Sequence, residues 1–314
     1  MVLEPMEDYF RDRVKIETRD DKQMRASVTF TPDLQGPPGA GHGGGVAAML
    51  LELVRLFRDE RGGAVSLPRP VRIEATLHRE VPLEVPLEAE VVAVNGGWHS
   101  RLLKGERPIA EAEVRPMEGP LLPIPPEVRR DWEATRGQFH EVPGYAFCLA
   151  CGLQNTRGVQ VRFDYNDALV WKRLVPQAHF RCDDGTLYPG FLCIVCDEIG
   201  WWLGALRQGE CGLSNRVTVC LGEPVLHGVH LLVLGHRSAV RTSDPKGRIW
   251  QAQASVLTPD WRPVATCEVQ FAGSRAFTKM MLPGFVPGED RAAVRRVFPG
   301  YADPWEIPGT AGPS

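Results

Sequence analysis

The sequence predicts an α+β protein made of two curled antiparallel sheets, each wrapped around one central helix. Three observations lead to this fold class. Two long apolar helices are predicted, over 43–58 and 189–207. Each follows a loop containing Gly and Pro, and each is followed by several stretches with the apolar/polar alternation of β-strands. The same order of elements occurs twice, which indicates an internal duplication.

The first half begins with MRASVTFT (24–31), which alternates as a half-buried strand does. Residues 46–60, VAAMLLELVRLFRDE, have apolar side chains on several faces, as is typical of a buried helix. Turn signals containing Pro, Asn or Gly then separate four predicted strands, 71–78, 87–94, 100–104 and 109–116.

A Pro-rich segment separates this half from the second one, and we interpret it as a linker with one short helix. The second half opens with predicted strands at 159–165 and 168–175. The helix over 191–207 and four more strands follow, and a Pro/Gly-rich tail contains one helix near EDRAAVRRVF. The predicted domains are an N-terminal unit (1–116), a linker (117–144), a C-terminal unit (145–273) and a tail (274–314).

Composition narrows the classes of function. The chain has 314 residues, 43% hydrophobic and 24% charged, which predicts a globular protein with a substantial core. A net charge of −3 without a basic stripe argues against nucleic acid as a partner. The start of the chain does not resemble a signal peptide, and we expect no membrane-spanning segment. Eight cysteines in a chain of this size favour reduced thiols and a cytoplasmic location.

The most informative motif is QGPPGAGHGGGVAAMLLE at 35–52. It places His42 and three glycines at the start of the first long helix. Glycine lets a ligand approach the backbone closely, and the N–H groups at a helix start attract negative charge. This motif therefore predicts a site where a polarised oxygen is bound.

The second half carries its own motif, CLACGLQNTRGVQVRF at 148–163. Together with the Gln-Gly-x-Pro-Gly-x-x-His-Gly-Gly loop and the order of elements, it resembles the hotdog-fold acyl-CoA thioesterases of the phenylacetate (PaaI-like) group. The resemblance covers roughly residues 10–116 and 145–272. It implies two hotdog units in one chain, that is, a double hotdog.

The resemblance also implies a division of labour. In that family the site lies between the central helices of two subunits. One subunit supplies the N–H of the first Gly of His-Gly-Gly, which polarises the thioester carbonyl. The other supplies an Asp or Glu nine residues after its own His, and a Ser or Thr on the next strand holds the attacking water. The two halves of this chain are expected to act as the two subunits.

The two halves keep complementary parts of this pattern. The first half has Gly43 for the oxyanion hole, but the position nine residues after His42 is Leu51 and the hydroxyl position is Pro70. The second half has Pro189, which lacks an N–H, where the glycine would be.

The acid and the hydroxyl are found in the second half instead. Asp197 lies nine residues after Tyr188, and Ser214 opens the following strand. We therefore predict one composite site with Gly43, Asp197, Ser214 and the loop amide of Gln35 in catalytic roles. His42, Gly44 and Trp201 are the expected substrate-binding residues, and Glu52 and Glu198 are reserve bases.

Structural roles are the alternatives for these residues. His42 is also a suitable helix cap, the glycines also permit close helix packing, and Ser214 also suits a turn. Cys148 and Cys151 have zinc-ligand spacing, as do Cys193 and Cys196, but the second pair lies within the apolar helix, where cysteines are typical core residues.

The sequence thus predicts acyl-CoA thioester hydrolysis, with a non-catalytic acyl- or acyl-CoA-binding protein as the alternative. The Asp-and-His hydration loop of hotdog hydratases is not found. We expect no metal and no cofactor other than coenzyme A as part of the substrate, and a homo-oligomer of double-hotdog chains.

Overall fold

Two long helices pack against each other over an antiparallel sheet in the computed structural model, which describes residues 3–59, 67–135, 139–242, 244–285 and 291–301. The helices of the described residues are α1 (Met6–Arg11), α2 (Gly43–Arg58), α3 (Pro126–Ala134), α4 (Pro189–Gln208), α5 (Arg275–Met281) and α6 (Arg291–Val297).

The strands before α4 are β1 (Val14–Arg19), β2 (Gln23–Thr29), β3 (Val71–Leu77), β4 (Pro86–Val94), β5 (Gly97–Lys104), β6 (Arg107–Pro116), β7 (His140–Glu141), β8 (Asp164–Tyr165) and β9 (Leu169–Leu174). Those after it are β10 (Gly212–Leu221), β11 (Leu231–His236), β12 (Arg241–Thr242), β13 (Ile249–Leu257) and β14 (Pro263–Gly273).

The strands form one open sheet in the order β1-β2-β4-β5-β6-β3-β10-β14-β13-β11-β9-β8-β7, with β12 paired to β13. All six strands of the first half precede all strands of the second half in this order. The two groups meet where β3 pairs antiparallel with β10, for example at Ala75 opposite Val217. Helix α2 packs on strands of the first group, and α4 packs mainly on those of the second.

Both long helices form where the sequence predicts them, and their ends have identifiable causes. The His42 side chain caps α2 by accepting a hydrogen bond from the Gly45 N–H. Pro189 opens α4, where a missing N–H carries no penalty, and Gly209 ends it in a left-handed conformation at φ 68°. Helix α4 is long and apolar enough to cross a membrane, yet 89% of its most apolar window is buried inside the fold, as in a core helix.

The predicted strand at 159–165 is wrong over most of its length, because only Asp164–Tyr165 belong to the sheet. Gln160 adopts a positive φ of 55°, which interrupts an extended strand. The N–H groups of Val159 and Val161 donate instead to the carbonyls of Leu149 and Ala150. This stretch is therefore tied to the Cys148–Cys151 loop rather than to a neighbouring strand.

Segments outside the predicted sheets also join the core. Helix α1 and strand β1 were not predicted from the sequence patterns, and α1 adds the buried Met6 and Phe10. The predicted tail helix is α6, whose Val294 and Val297 are buried. Residues 286–290 and 302–314 of the tail lie outside the described part of the chain.

Candidate functional site

Of the three glycines at the start of α2, Gly43 and Gly44 lie against α4. A methyl group added at Gly44 would lie 2.6 Å from the Cys193 carbonyl oxygen and 2.7 Å from Ile194 Cα. These are backbone atoms of α4 that cannot move aside cheaply. Close helix packing, the structural alternative for the glycines, therefore holds for Gly44.

The same approach brings the backbone of α2 to the side chain of Asp197. The Gly44 N–H donates a hydrogen bond of 2.6 Å to Asp197 Oδ2. A methyl group at Gly43 would lie only 2.7 Å from that oxygen. The carboxylate is thus held at the positive end of the α2 dipole. Among the described residues we find no acceptor for the Gly43 N–H, and Gly43 lines the neighbouring cavity.

Asp197 is buried, and burial raises the pKa of its carboxyl group above the ordinary value. The imidazole of His42 and the Gly44 N–H act in the opposite direction. Asp197 Oδ1 has no hydrogen-bond partner in the described part of the chain. One oxygen is therefore anchored on α2, while the other is free to accept a proton.

Ser214 lies beside Asp197 because of an irregularity in β10. The pairing of β10 with β14 shifts register between Ser214 and Arg216, so that Asn215 bulges. Within the described ranges, Ser214 Oγ and Asn215 Oδ1 are buried without a hydrogen-bond partner. Both residues line the cavity. Buried polar atoms left unsatisfied in a cavity wall are suited to bind a water or a ligand.

His42 has both ring nitrogens engaged. Nδ1 accepts from the Gly45 N–H at 3.3 Å and lies 3.5 Å from Asp197 Oδ2. Nε2 lies 3.1 Å from Glu198 Oε2. Burial disfavours the charged imidazole, but Cys148 and the two carboxylates outweigh it and raise the pKa of His42. With Nδ1 as acceptor, the side chain is the N-cap of α2, and through Nε2 it contacts Glu198 on α4.

The two reserve bases are held by other groups. Glu198 accepts from the Trp202 indole N–H at 2.8 Å in addition to its contact with His42. Glu52 is fully buried, and its two oxygens accept from Arg11 at 2.8 Å and from Arg55 at 2.6 Å. The oxygens of both carboxylates therefore have partners, whereas Asp197 Oδ1 has none in the described part of the chain.

Among the described residues, the region related to this site by exchange of the two halves offers no comparable set of groups. Pro189 is the first residue of α4 and offers no N–H. Tyr188 is buried and lies under the guanidinium of Arg55, whose carbon is 5.9 Å from the ring centre. Leu51 is buried in the core. Ion pairs therefore occupy the place of a second site.

The cavity next to Asp197 has a volume of about 300 Å³ and a largely apolar wall. This lies at the lower end of the range for small-molecule sites. Its polar wall residues include Asp197, Ser214 and Asn215. Its aromatic and apolar wall residues include Leu77, Tyr145, Trp201, Phe277, Met281 and Phe285. Part of the wall thus comes from the predicted tail.

Trp201 is part of the cavity wall, whereas Gln35 is not. Trp201 lines the cavity, and its indole N–H donates to the Gly212 carbonyl at 2.7 Å, which fixes the ring as part of the wall. The Gln35 carbonyl accepts from the Leu149 N–H at 2.7 Å, and the cavity wall on this loop begins at Gly36. The structure therefore gives Gln35 a backbone role in joining the loop to the second half.

Asn215 and Cys148 are among the cavity residues that were not predicted as part of the site. Asn215 follows Ser214, but a strand bulge leaves no pattern in a single sequence. Cys148 lines the cavity next to His42, and the Cys-x-x-Cys-Gly spacing is the signal that could have placed it there. Burial opposes ionisation of this thiol, but hydrogen bonds with Cys151 and His42 lower its pKa below the ordinary value.

Comparison with known proteins rests on structure. No family model matches this sequence, and no curated protein matches it. The tesB protein of Mycobacterium avium subs paratuberculosis superposes with a TM-score of 0.57 at 12% identity, covering 85% of this chain and 99% of that chain. Acyl-CoA thioesterase II TesB2 from Mycobacterium marinum gives 0.50 at 13%, covering 83% and 96%. The dehydratase domain from the CurJ module of the curacin polyketide synthase gives 0.55 at 10%, covering 82% and 94%.

At such low identities the likeness establishes the fold alone. Hotdog-fold neighbours cover most of the chain, and they include both thioesterases and polyketide synthase dehydratases. The PaaI-like type stays a prediction. By its structure, this chain has a hotdog-type fold built on a large antiparallel sheet.

Proposed function

We propose that this protein hydrolyses acyl-CoA thioesters at one composite site, with the oxyanion hole from the first half of the chain and the base from the second. One observation carries the proposal: the buried Asp197 carboxylate is anchored on the N-terminus of α2 and faces an apolar cavity. Thioester hydrolysis needs N–H donors for the developing negative charge and a carboxylate that activates water. Both are present within one cavity wall.

In this mechanism the thioester carbonyl oxygen accepts a hydrogen bond from the Gly43 N–H. The Gly44 N–H is taken by Asp197 Oδ2 and serves to position the base. Asp197 Oδ1 takes a proton from a water held by Ser214, and the water oxygen attacks the carbonyl carbon. The tetrahedral intermediate then collapses, the C–S bond breaks, and the Asp197 proton passes to the departing coenzyme A sulfur.

The composite site implies that the fold consists of two units, each supplying one side of the site. Strands β1–β6 with α2 form one hotdog unit, and β7–β14 with α4 form the other. The unbroken pairing of β3 with β10 and the packing of α2 on α4 support this division. Because the two halves of one chain already supply both sides of the site, a further copy of the chain is not needed to complete it.

A non-catalytic acyl-CoA-binding protein is the alternative. It would use the same cavity but would not need a base with a free oxygen. Dehydration, the activity named for one structural neighbour, is less well supported. A histidine that removes a substrate proton needs a free ring nitrogen, and both nitrogens of His42 are engaged.

The test is release of free coenzyme A from a panel of acyl-CoAs, separated by chromatography so that protein thiols do not interfere. We expect turnover by the natural protein and at least ~10²-fold less by Asp197→Asn. Binding of acyl-CoA by both proteins with no turnover by either would favour the binding protein. Conversion of a 3-hydroxyacyl thioester to the unsaturated product would favour dehydration.

A further inference from the structure

Beside the cavity, three metal-binding side chains from distant parts of the sequence come together. Nitrogen of His42, Sγ of Cys148 and a carboxylate oxygen of Glu198 all lie within 4.8 Å of one another, and all three residues are buried. His42 Nε2 and Glu198 Oε2 are 3.1 Å apart. Zinc bonds of 2.0–2.3 Å in a tetrahedron place ligand atoms roughly 3.3–3.8 Å apart, so the cluster is close to the size such an ion needs.

The loop that carries Cys148 is shaped around its sulfur. The N–H groups of Ala150 and Cys151 donate to Cys148 Sγ at 3.3 and 3.5 Å. The Gly152 N–H donates to the Cys148 carbonyl at 3.0 Å, and a methyl group at Gly152 would lie 2.5 Å from the Cys148 backbone. Two backbone donors directed at one sulfur stabilise a thiolate, the form in which cysteine binds metals.

Outer contacts orient the three ligands. The Cys151 N–H donates to Cys148 Sγ at 3.5 Å. The second oxygen of Glu198 accepts from Trp202. The second ring nitrogen of His42 lies 3.5 Å from Asp197 Oδ2, the acceptor that it faces when Nε2 binds a metal. Metal-binding imidazoles and carboxylates are commonly oriented by such contacts at their other ends.

We propose that this protein binds one zinc ion, with His42 Nε2, Cys148 Sγ and a carboxylate oxygen of Glu198 as protein ligands. A mixed set of nitrogen, sulfur and oxygen donors suits zinc better than magnesium or calcium, which prefer oxygen. The ion ties the 148–152 loop and α4 to the start of α2. It thereby positions the Gly43–Gly45 turn, and this structural role does not depend on the proposed hydrolysis.

The other cysteine pair is not part of this site. The Cys267 thiol donates to the Cys196 carbonyl at 3.5 Å, and the thiols of Cys196 and Cys267 are also hydrogen-bonded. The cluster at His42 draws on Cys148 instead. The zinc ion proposed here therefore uses Cys148 of the first Cys-x-x-Cys pair and neither cysteine of the second.

The test begins with the full chain purified under reducing conditions without chelators, and its zinc measured by inductively coupled plasma mass spectrometry. We expect about one zinc per chain, falling below ~0.1 in Cys148→Ser. Cys220→Ser, which removes a half-buried cysteine of β10, is the matched control and should keep the metal. Full zinc content in Cys148→Ser would overturn the proposal.

A second measurement covers the case in which Cys148→Ser does not fold. Zinc is removed from the natural protein with a chelator, folding is checked by circular dichroism, and Co²⁺ is added. Tetrahedral Co²⁺ bound to a thiolate gives intense visible bands and a sulfur-to-cobalt charge-transfer band, and we expect both. A folded apoprotein with no such bands, or a Cys148–Cys151 disulfide in the reduced preparation, would contradict the proposal. Neither readout measures hydrolysis, so a failure here leaves the thioesterase proposal standing.

Discussion

The Gly44 N–H on one helix and Asp197 Oδ2 on the other are joined by a hydrogen bond of 2.6 Å across 153 residues of sequence. This contact sets the position of a buried carboxylate relative to a helix N-terminus. It leaves Asp197 Oδ1 and the Gly43 N–H available on the cavity side. The contact is also sterically tight, because a side chain at Gly44 would meet the backbone of α4.

Replacing Asp197 by asparagine removes the proposed base but keeps an oxygen that can accept the Gly44 hydrogen bond. We expect kcat for acyl-CoA hydrolysis to fall by at least ~10²-fold with little change in KM, because the base acts mainly in the transition state. Steady-state kinetics and a thermal melt of the variant check this. A kcat within ~2-fold of the natural protein would move the base elsewhere.

Two substitutions at Gly43 distinguish the effect of losing its N–H from the effect of adding a side chain. Gly43→Ala keeps the N–H but places a methyl group 2.7 Å from Asp197 Oδ2. Gly43→Pro adds similar bulk and also removes the N–H, at a helix position where proline is tolerated. We expect kcat of the proline variant to be ~10²–10³-fold below that of the alanine variant. Equal kcat values in two folded variants would place the oxyanion hole at another N–H.

Gly44→Ala tests helix packing rather than catalysis. Its methyl group would lie 2.6 Å from the Cys193 carbonyl oxygen, so the two helices must separate. We expect the free energy of unfolding to fall by ~2 kcal/mol or more, measured by urea denaturation. Gly300→Ala, at a site with no atom near the added methyl group, is the control and should change stability little.

Glu52 should matter for stability and little for turnover. It is fully buried and paired with Arg11 and Arg55. Glu52→Gln leaves the buried Arg55 and the partly buried Arg11 with Glu7 as their remaining carboxylate partner, and breaking a buried pair costs ~3–5 kcal/mol. We expect a lower melting temperature, with kcat within ~2-fold of natural at a temperature where the variant is folded. A loss of kcat like that of Asp197→Asn would instead assign the base to Glu52.

Ser214→Ala should show the opposite pattern. Its hydroxyl is buried without a hydrogen-bond partner in the described ranges, so its removal should leave the melting temperature unchanged or raise it. If the hydroxyl holds the attacking water, kcat should fall by ~10-fold or more because the water is no longer positioned. Unchanged kcat in this variant would restrict Ser214 to a structural role.

The sequence alone determined the two long helices, the Gly-rich start of the first and most of the strands. These features depend on periodicity and on residues within a few positions of one another, which a single sequence displays. Positions counted along the sequence likewise predicted Asp197 within the second long helix and Pro189 at its start. The expectation of one composite site rested on that pairing of residues in the two halves, together with the family resemblance.

The tertiary structure decided how these parts meet. The contacts of His42 with Glu198 and with Cys148, the pairing of Glu52 with Arg11, and the cavity wall supplied by Phe277 all join residues far apart in the chain. The misassigned strand at 159–165 has the same origin, because its backbone groups bond to the 149–150 loop. Such contacts depend on how closely packed elements approach each other in space, and no periodicity along the chain records that distance.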